Sequence, residues 1–282
     1  MITVQNLSYP GARQPGISKL NEDTFLVNEA HGIFGVFDGA SPQVKHDLAD
    51  GKSGAYAVAH MAAKEFDKMS PNMLDTVQRL NDAINELHSK ENINNLDALN
   101  RFATTVAVVR LHDDYQADLL QIGDSPILVI DKDGSVVLPL GYDGIDTEIM
   151  KKWRQLADRG ASGIRQLLSE DVKDLRQQAN RAYGMLNGDP AVMNFVKTTQ
   201  ISLESVASIL LLTDGMFLPK TDPEAPEDWA EIAWLYQEGG LEKIYQTVYD
   251  IEETDPETTK YPRYKLHDDA TAVAIDFVAS HD

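Results

Sequence analysis

The sequence predicts an α+β fold in which two β-sheets carry helices on their outer sides. Short apolar, β-branched runs lie near both ends of the chain, at 24–28 and 33–37 and again at 206–213 and 270–278. Pairs of segments with helical apolar spacing lie between and after them. Several of these strands begin or end at acidic residues, so that carboxylates gather at strand ends, where a rigid scaffold holds a side chain and a loop leaves it open to a ligand.

The first strand pair is separated by a turn-rich loop, Tyr9-Pro10-Gly11-Ala12-Arg13-Gln14-Pro15-Gly16. Ile33-Phe34-Gly35-Val36-Phe37 stops at Asp38-Gly39, and Ser41-Pro42 reads as an N-cap with proline at the first helical position of a helix over 42–69. Its stripe is Ala55, Ala59, Ala62, Phe66 and Met69. Ser70-Pro71 opens a second helix with Met73, Val77, Leu80, Ile84 and Leu87 on one face. Strands follow at 104–109, 119–122, 127–130 and 135–138, an antiparallel meander with a hairpin turn at Asp133-Gly134. Residues 142–183 are polar and helical, an insertion beside the sheet. Strands return at 194–202 and 206–213. Trp229, Ile232, Ala233 and Tyr236 mark one later helix, Leu241, Ile244, Val248 and Ile251 another. With no repeat or linker, residues 1–282 are expected to form a single domain.

Hydrophobic residues make up 43% of the chain, enough for a sizeable core, and there is no cysteine for a disulfide, thiolate site or nucleophile. The net charge of −20, from 45 acidic against 25 basic residues, disfavours nucleic acid and anionic membrane as partners. The opening residues lack a signal-peptide pattern and no long apolar run follows, so a soluble, cytoplasmic protein is expected.

Five acidic sites stand at strand ends: Glu22-Asp23, Asp38, Asp124, Asp214 and Asp268-Asp269. Carboxylate and carbonyl oxygens are hard donors that suit magnesium or manganese, and no histidine pair has a spacing that suits zinc. Two such ions roughly 3.5–4 Å apart can bridge and acidify a water for attack on phosphorus, which points to phosphate-ester hydrolysis. Taken singly, an Asp-Gly pair is more often a turn than a ligand.

The ordered set Asn21-Glu22-Asp23, Val36-Phe37-Asp38-Gly39, Thr104-Thr105, Gly123-Asp124-Ser125, Asn180-Arg181-Ala182-Tyr183-Gly184, Thr213-Asp214-Gly215 and Asp268-Asp269-Ala270-Thr271 resembles the metal-dependent protein phosphatases of type 2C, in their bacterial form, from about residue 18 to 278. The resemblance implies a four-layer α/β/β/α sandwich of two antiparallel sheets flanked by helix pairs, with the metal centre between the sheets. It implies a phosphorylated protein as substrate and two manganese or magnesium ions with a weaker third; a monomer is expected. Asp38 would bridge the metals, the Gly39 carbonyl would bind one, and Asp214 and Asp268 would complete the other site. Glu22 and Asp23 would hold metal-bound waters, and Asp124 with Asp214 would serve the third ion. Asp38 and Asp214 are then the residues on which the activated water depends.

The sequence departs from that pattern in three respects. Ser18, with Lys19 beside it, stands where a phosphate-binding arginine is usual; Ala40 and Ser41 leave no histidine after the Asp-Gly; and Pro126 replaces an arginine. Lys19 is the expected phosphate anchor, with Arg13 as a second candidate and Arg263 or Lys265 further along the chain. Two functions are compatible with these residues: a serine/threonine phosphoprotein phosphatase, or a catalytically weak phosphoprotein-binding regulatory module of the same fold.

Overall fold

Period-two alternation in the strands builds three apolar layers. The structure, a computed structural model, describes residues 1–11, 20–42, 48, 51–68 and 70–277. Among the described residues the strands are β1 (Ile2–Tyr9), β2 (Thr24–Asn28), β3 (Ile33–Phe37), β4 (Gly39–Ala40), β5 (Ala103–Thr104), β6 (Val106–Leu111), β7 (Gln116–Ile122), β8 (Ile127–Asp131), β9 (Val136–Val137), β10 (Lys197–Ser202), β11 (Val206–Leu212) and β12 (Ala270–Phe277). They form two five-stranded antiparallel sheets, in the orders β1-β12-β11-β8-β9 and β10-β7-β6-β3-β2, and a short ladder of β4 with β5.

Successive side chains point to opposite faces, so each central strand serves two layers. Phe34, Val36, Ala107 and Val109 meet Ile209, Leu211, Val273 and Ile275 in the core between the sheets. Their neighbours Ile33, Phe37, Val106 and Val108 face Val58, Phe66, Leu80 and Ile84 of α1 (Gly54–Asp67) and α2 (Met73–Lys90). On the other side Leu210, Leu212, Ala272 and Ala274 meet Ile232, Tyr236, Ile244 and Val248 of α6 (Trp229–Glu253). The result is the expected α/β/β/α stack. The two helices expected around Trp229 and Leu241 are the halves of α6, broken at Gly240, where φ is 70°. Residues 142–183 hold α3 (Thr147–Asp158), α4 (Ile164–Leu167) and α5 (Ser169–Gln177).

Local chemistry overrides the sequence reading at several boundaries. The first helix begins at Gly54 instead of Pro42: Ser53 caps it, accepting the Tyr56 N–H at 3.1 Å. Gly54 packs under Phe102 so closely that a Cβ would lie 2.0 Å from the ring. Ser41 is engaged elsewhere, donating to Glu22 Oε1 at 2.6 Å; residues 43–47 and 49–50 of the expected helix, and Met69 of its stripe, lie outside the described residues. The second helix is capped by Asn72, which accepts the Leu74 N–H at 2.9 Å. The Ser70 and Pro71 carbonyls are taken by the Arg110 guanidinium at 2.7 and 3.0 Å. The strand expected at 194–202 starts at Lys197, after a 3₁₀ turn that Asp189 caps by accepting the Ala191 N–H.

Two further differences bear on the site. The strand expected at 104–109 is interrupted at Thr105, whose N–H bonds the Asp38 carbonyl at 2.9 Å. The expected meander does not stay in one sheet: β7 and β8 belong to opposite sheets, and Gly123, with φ 83°, turns the chain across between them. That crossing sets Asp124 at the sheet ends.

His88 closes the far end of α2. Its Nε2 accepts the Phe102 N–H at 2.9 Å, while Nδ1 has no hydrogen-bond partner among the described residues. Burial first, and then Arg101, depress its pKa to about 4. The folded state therefore binds fewer protons than the unfolded chain between about pH 6.5 and 4, and the stability present above that window is lost as pH falls through it. Urea unfolding at pH 7 and pH 5 should show the native sequence losing on the order of 2 kcal/mol more than a His88→Gln variant. Equal losses in the two proteins would contradict this reading of His88.

Candidate metal centre

Antiparallel pairing puts the end of one strand beside the start of the next, which gathers the acidic segments at one end of the sandwich. Asp38 follows β3 and Glu22-Asp23 precede its partner β2; Asp214 follows β11 and Asp268 precedes its partner β12; Asp124 lies where the chain crosses from β7 to β8. Glu22, Asp38, Gly39, Asp124, Asp214 and Asp268 line one open cavity of about 530 Å³. Arg13 and Lys19 lie outside the described residues.

Backbone contacts fix the central acid. The Asp38 carbonyl accepts the Thr105 N–H at 2.9 Å and the Thr104 hydroxyl at 2.8 Å, and the Thr105 hydroxyl reaches Ser125 Oγ at 2.6 Å. Gly39 is required by crowding: a Cβ there would lie 2.5 Å from the Glu22 carbonyl oxygen. Gly215 is required in the same way, since its Cβ would lie 2.2 Å from the Asp269 carbonyl oxygen. The Asp-Gly pairs thus serve close chain approach as well as the placing of an acid.

Four further acids have distinct attachments. Asp23 is buried, and its Oδ2 accepts the Thr213 hydroxyl at 2.8 Å. Glu22 accepts Ser41. Asp268 Oδ1 accepts both the Lys265 ammonium at 2.5 Å and the Asp269 N–H at 2.8 Å. Asp269 faces away from this chemistry and works as a clamp: its two oxygens accept the Gly11 N–H at 2.8 Å and the Glu22 N–H at 3.0 Å. Arg263 is a loop brace, bonded to Asp255 Oδ2 at 3.1 Å and to the Tyr261 carbonyl at 2.7 Å. Asn180, at φ 59°, organises the loop that carries Tyr183, accepting the Met185 N–H and donating to Asn187.

Burial is the leading influence on the electrostatics of these acids, and crowding of like charge comes second. Burial, Asp268 and Asp269 push the Asp38 pKa up to about 7 against the opposing influence of Lys265 and a hydrogen bond with Asp23. Burial and Asp38 raise Asp23 as well, against the hydrogen bond from Thr213. Burial, Asp38 and Asp146 raise Asp124 to about 8. Surrounding protein, Asp38 and Asp268 raise Asp214, although it is exposed to solvent in the cavity wall and its charge is partly screened.

Hard oxygen donors and unrelieved carboxylate repulsion are what a magnesium or manganese site offers, so the residues fit such ions in kind and in charge. Among the described residues no three acidic or histidine side chains are drawn together closely enough to hold a metal ion as they stand.

Two cavity residues carried no mark in the sequence. Asp146 precedes α3, and burial raises its pKa to about 6 while Tyr264 and Arg176 act to lower it. Arg176, on α5, donates to the Ser41 carbonyl and lines the cavity without a carboxylate ion pair among the described residues. In the sequence it is one charge among many on a polar helix that buries no residue.

The sequence matches the family described as Protein phosphatase 2C over residues 14–238. The chain belongs to the protein phosphatase 2C family. No curated protein sequence gives a significant match. Among solved structures it is similar to the serine/threonine phosphatase PstP of Mycobacterium tuberculosis, at 16% identity and a TM-score of 0.58 with 99% of each chain covered. It is also similar to PppA of Pseudomonas aeruginosa, described as a regulatory component of T6SS, at 15% identity and a TM-score of 0.57 with 98% of this chain and 97% of that one covered. A further likeness, at 15% identity and TM-score 0.57 with 99% of each chain covered, is to the PstP catalytic domain solved in complex with two manganese ions. These likenesses establish the phosphatase 2C fold. Among the described residues no helix is long and apolar enough to cross a membrane.

An ionised Asp124 opposes folding of the metal-free protein. Because its folded pKa is raised, its contribution is fully present below about pH 4 and is lost as pH rises through about 8. In chelator at pH 8, Asp124→Asn should raise the melting temperature by several degrees, with the gain shrinking towards pH 4. A melting temperature unchanged at pH 8 would show that Asp124 does not feel its neighbours.

Proposed function

We propose that the protein is a manganese- or magnesium-dependent phosphatase that hydrolyses phosphoserine or phosphothreonine in proteins. One observation carries this reading: Asp38, Asp214, Asp268 and Asp124, from separate strand ends of both sheets, line a single cavity in a chain of the phosphatase 2C family. The two manganese ions of the PstP catalytic domain support the choice of metal.

In this reading Asp38, the Gly39 carbonyl, Asp214 and Asp268 hold two ions, Glu22 and Asp23 hold their waters, and Asp124 with Asp214 serves a weaker third. When bound, the ions supply electrophilic stabilisation of the phosphoryl group and acidify the attacking water. Asp38 is held by its backbone, so its position does not depend on the metal. Gly39 and Gly215 allow the chain segments behind the acids to pack without side chains. Arg176 and Lys265 offset the negative field that a phosphate dianion meets on entry. Residues 142–183 act as an insertion over the cavity within a single domain.

Arg176 takes the role for which Lys19 is the sequence candidate. It reaches the cavity from α5 and touches the segment just after Asp38-Gly39, and a guanidinium can hold phosphate through two parallel hydrogen bonds. The regulatory-module reading is favoured by one observation, the Lys265 ammonium on Asp268, which leaves that ligand engaged.

Phosphate release from a phosphothreonine peptide, with manganese and with chelator, separates the two readings. Release that requires manganese, and that falls by orders of magnitude in folded Asp38→Ala or Asp214→Ala variants, is expected. Turnover near the native rate in either variant at saturating manganese would rule out the two-metal reading. Steady-state kinetics with an aryl phosphate test the anchor: Arg176→Ala should raise KM roughly tenfold with kcat within about threefold. An unchanged KM in Arg176→Ala with a raised KM in Lys19→Ala would return the role to Lys19.

A further inference from the structure

Lys265 sits three residues before Asp268, and an exposed lysine at that spacing would ordinarily be a surface ion pair of little consequence. Its surroundings are different. The ammonium lies 2.5 Å from Asp268 Oδ1, and the residue lines the cavity that Asp38, Asp124 and Asp214 share. Burial acts to lower its pKa, but Asp268, Asp214 and Asp269 outweigh burial and raise it. Asp38 feels Lys265 as an opposing positive charge among the acids that crowd it.

The loop that carries Lys265 is braced on both sides. Asp255 accepts the Thr259 N–H at 3.1 Å and the Tyr261 N–H at 2.8 Å, and Arg263 ties Asp255 to the Leu266 carbonyl at 3.0 Å. On the other side, His267 is held between Glu252 and Glu253, each at 2.7 Å. The backbone is therefore fixed, and the adjustable part is the four-carbon side chain. Asp268 Oδ1 already accepts the Asp269 N–H at 2.8 Å, so one oxygen serves a backbone donor and the ammonium together. A divalent cation and an ammonium repel one another strongly at such distances, and both cannot occupy that oxygen.

We propose that Lys265 is a tethered counter-ion of the metal centre: its ammonium occupies Asp268 when no divalent cation does, and a metal ion reaches Asp268 only by displacing it. This rests on the metal-dependent reading of the site. Lys265 then sets the affinity of the Asp268 position and stabilises the empty centre, at the expense of metal binding.

The experiment is calorimetric titration of the full chain with manganese chloride, together with thermal unfolding in chelator. Native protein, Lys265→Met, Lys265→Gln and the control Lys260→Met, which alters an exposed lysine of the same loop, are compared. Both Lys265 variants should bind manganese about tenfold more tightly and melt about 2–4 °C lower in chelator, with the deficit closing at saturating manganese. Lys260→Met should match the native protein. Binding by the Lys265 variants when the native protein binds none would support the proposal in its strongest form. Manganese affinity that is unchanged or weaker in either folded Lys265 variant would overturn it while leaving the metal centre intact. No binding by any of the proteins would overturn both.

Discussion

Repulsion among carboxylates at one end of the sandwich is the constraint around which the rest of the site is arranged. Asp38, Asp124, Asp214 and Asp268 are delivered there by strand ends and line one cavity. Each neighbour answers that crowding in its own way. Asp23 and Asp38 share a hydrogen bond, Thr213 donates to Asp23, Ser41 donates to Glu22, and Lys265 brings a full positive charge to Asp268. A buried carboxylate without such partners would take up a proton, as the raised values of Asp38 and Asp124 show. A bound cation relieves the same repulsion at once.

The apolar framework was largely legible in the sequence because alternation and helical spacing are local properties. Ile33 to Phe37, the apolar end of β11 and the stripes of α1 and α2 stand where their periodicity places them. The acids at strand ends were legible too, since strand runs that stop at Asp-Gly mark them directly. Boundaries set by distant partners were not. Nothing near Pro42 reveals that Phe102 lies over Gly54, nor does Ser70-Pro71 reveal that Arg110 claims its carbonyls. The crossing at Gly123 was hidden for a similar reason, because a turn looks the same whether the next strand joins the same sheet or the opposite one. Arg176 and Asp146 enter the cavity only through the packing of α3 and α5, and no spacing in a polar helix marks which of its charges faces inward.

Asp269 illustrates how neighbouring acids divide their labour. Asp268 faces the cavity, while Asp269 turns into the protein and accepts two backbone N–H groups from the segment that precedes β2. Both of its oxygens are needed as acceptors. An amide at this position offers one acceptor and one donor, so one of the two N–H groups would face another N–H. The side chain at 269 therefore decides how Glu22 is presented beside Asp38.

The pairing of β1 with β12 has a consequence for how the molecule is made. Ile2 lies opposite Phe277, and the two strands sit side by side in one sheet. The other sheet draws on residues no later than Ser202 and can assemble from an earlier part of the chain. The first sheet can close only when the last strand arrives, and contacts between such distant residues form late because the intervening chain must first be ordered. Asp268 comes with that strand, and Asp269 is the clamp on Glu22. A chain still emerging from the ribosome thus carries Asp38 and Asp214 but lacks the residues that complete the cavity, so the order of synthesis itself withholds the finished site until folding is done.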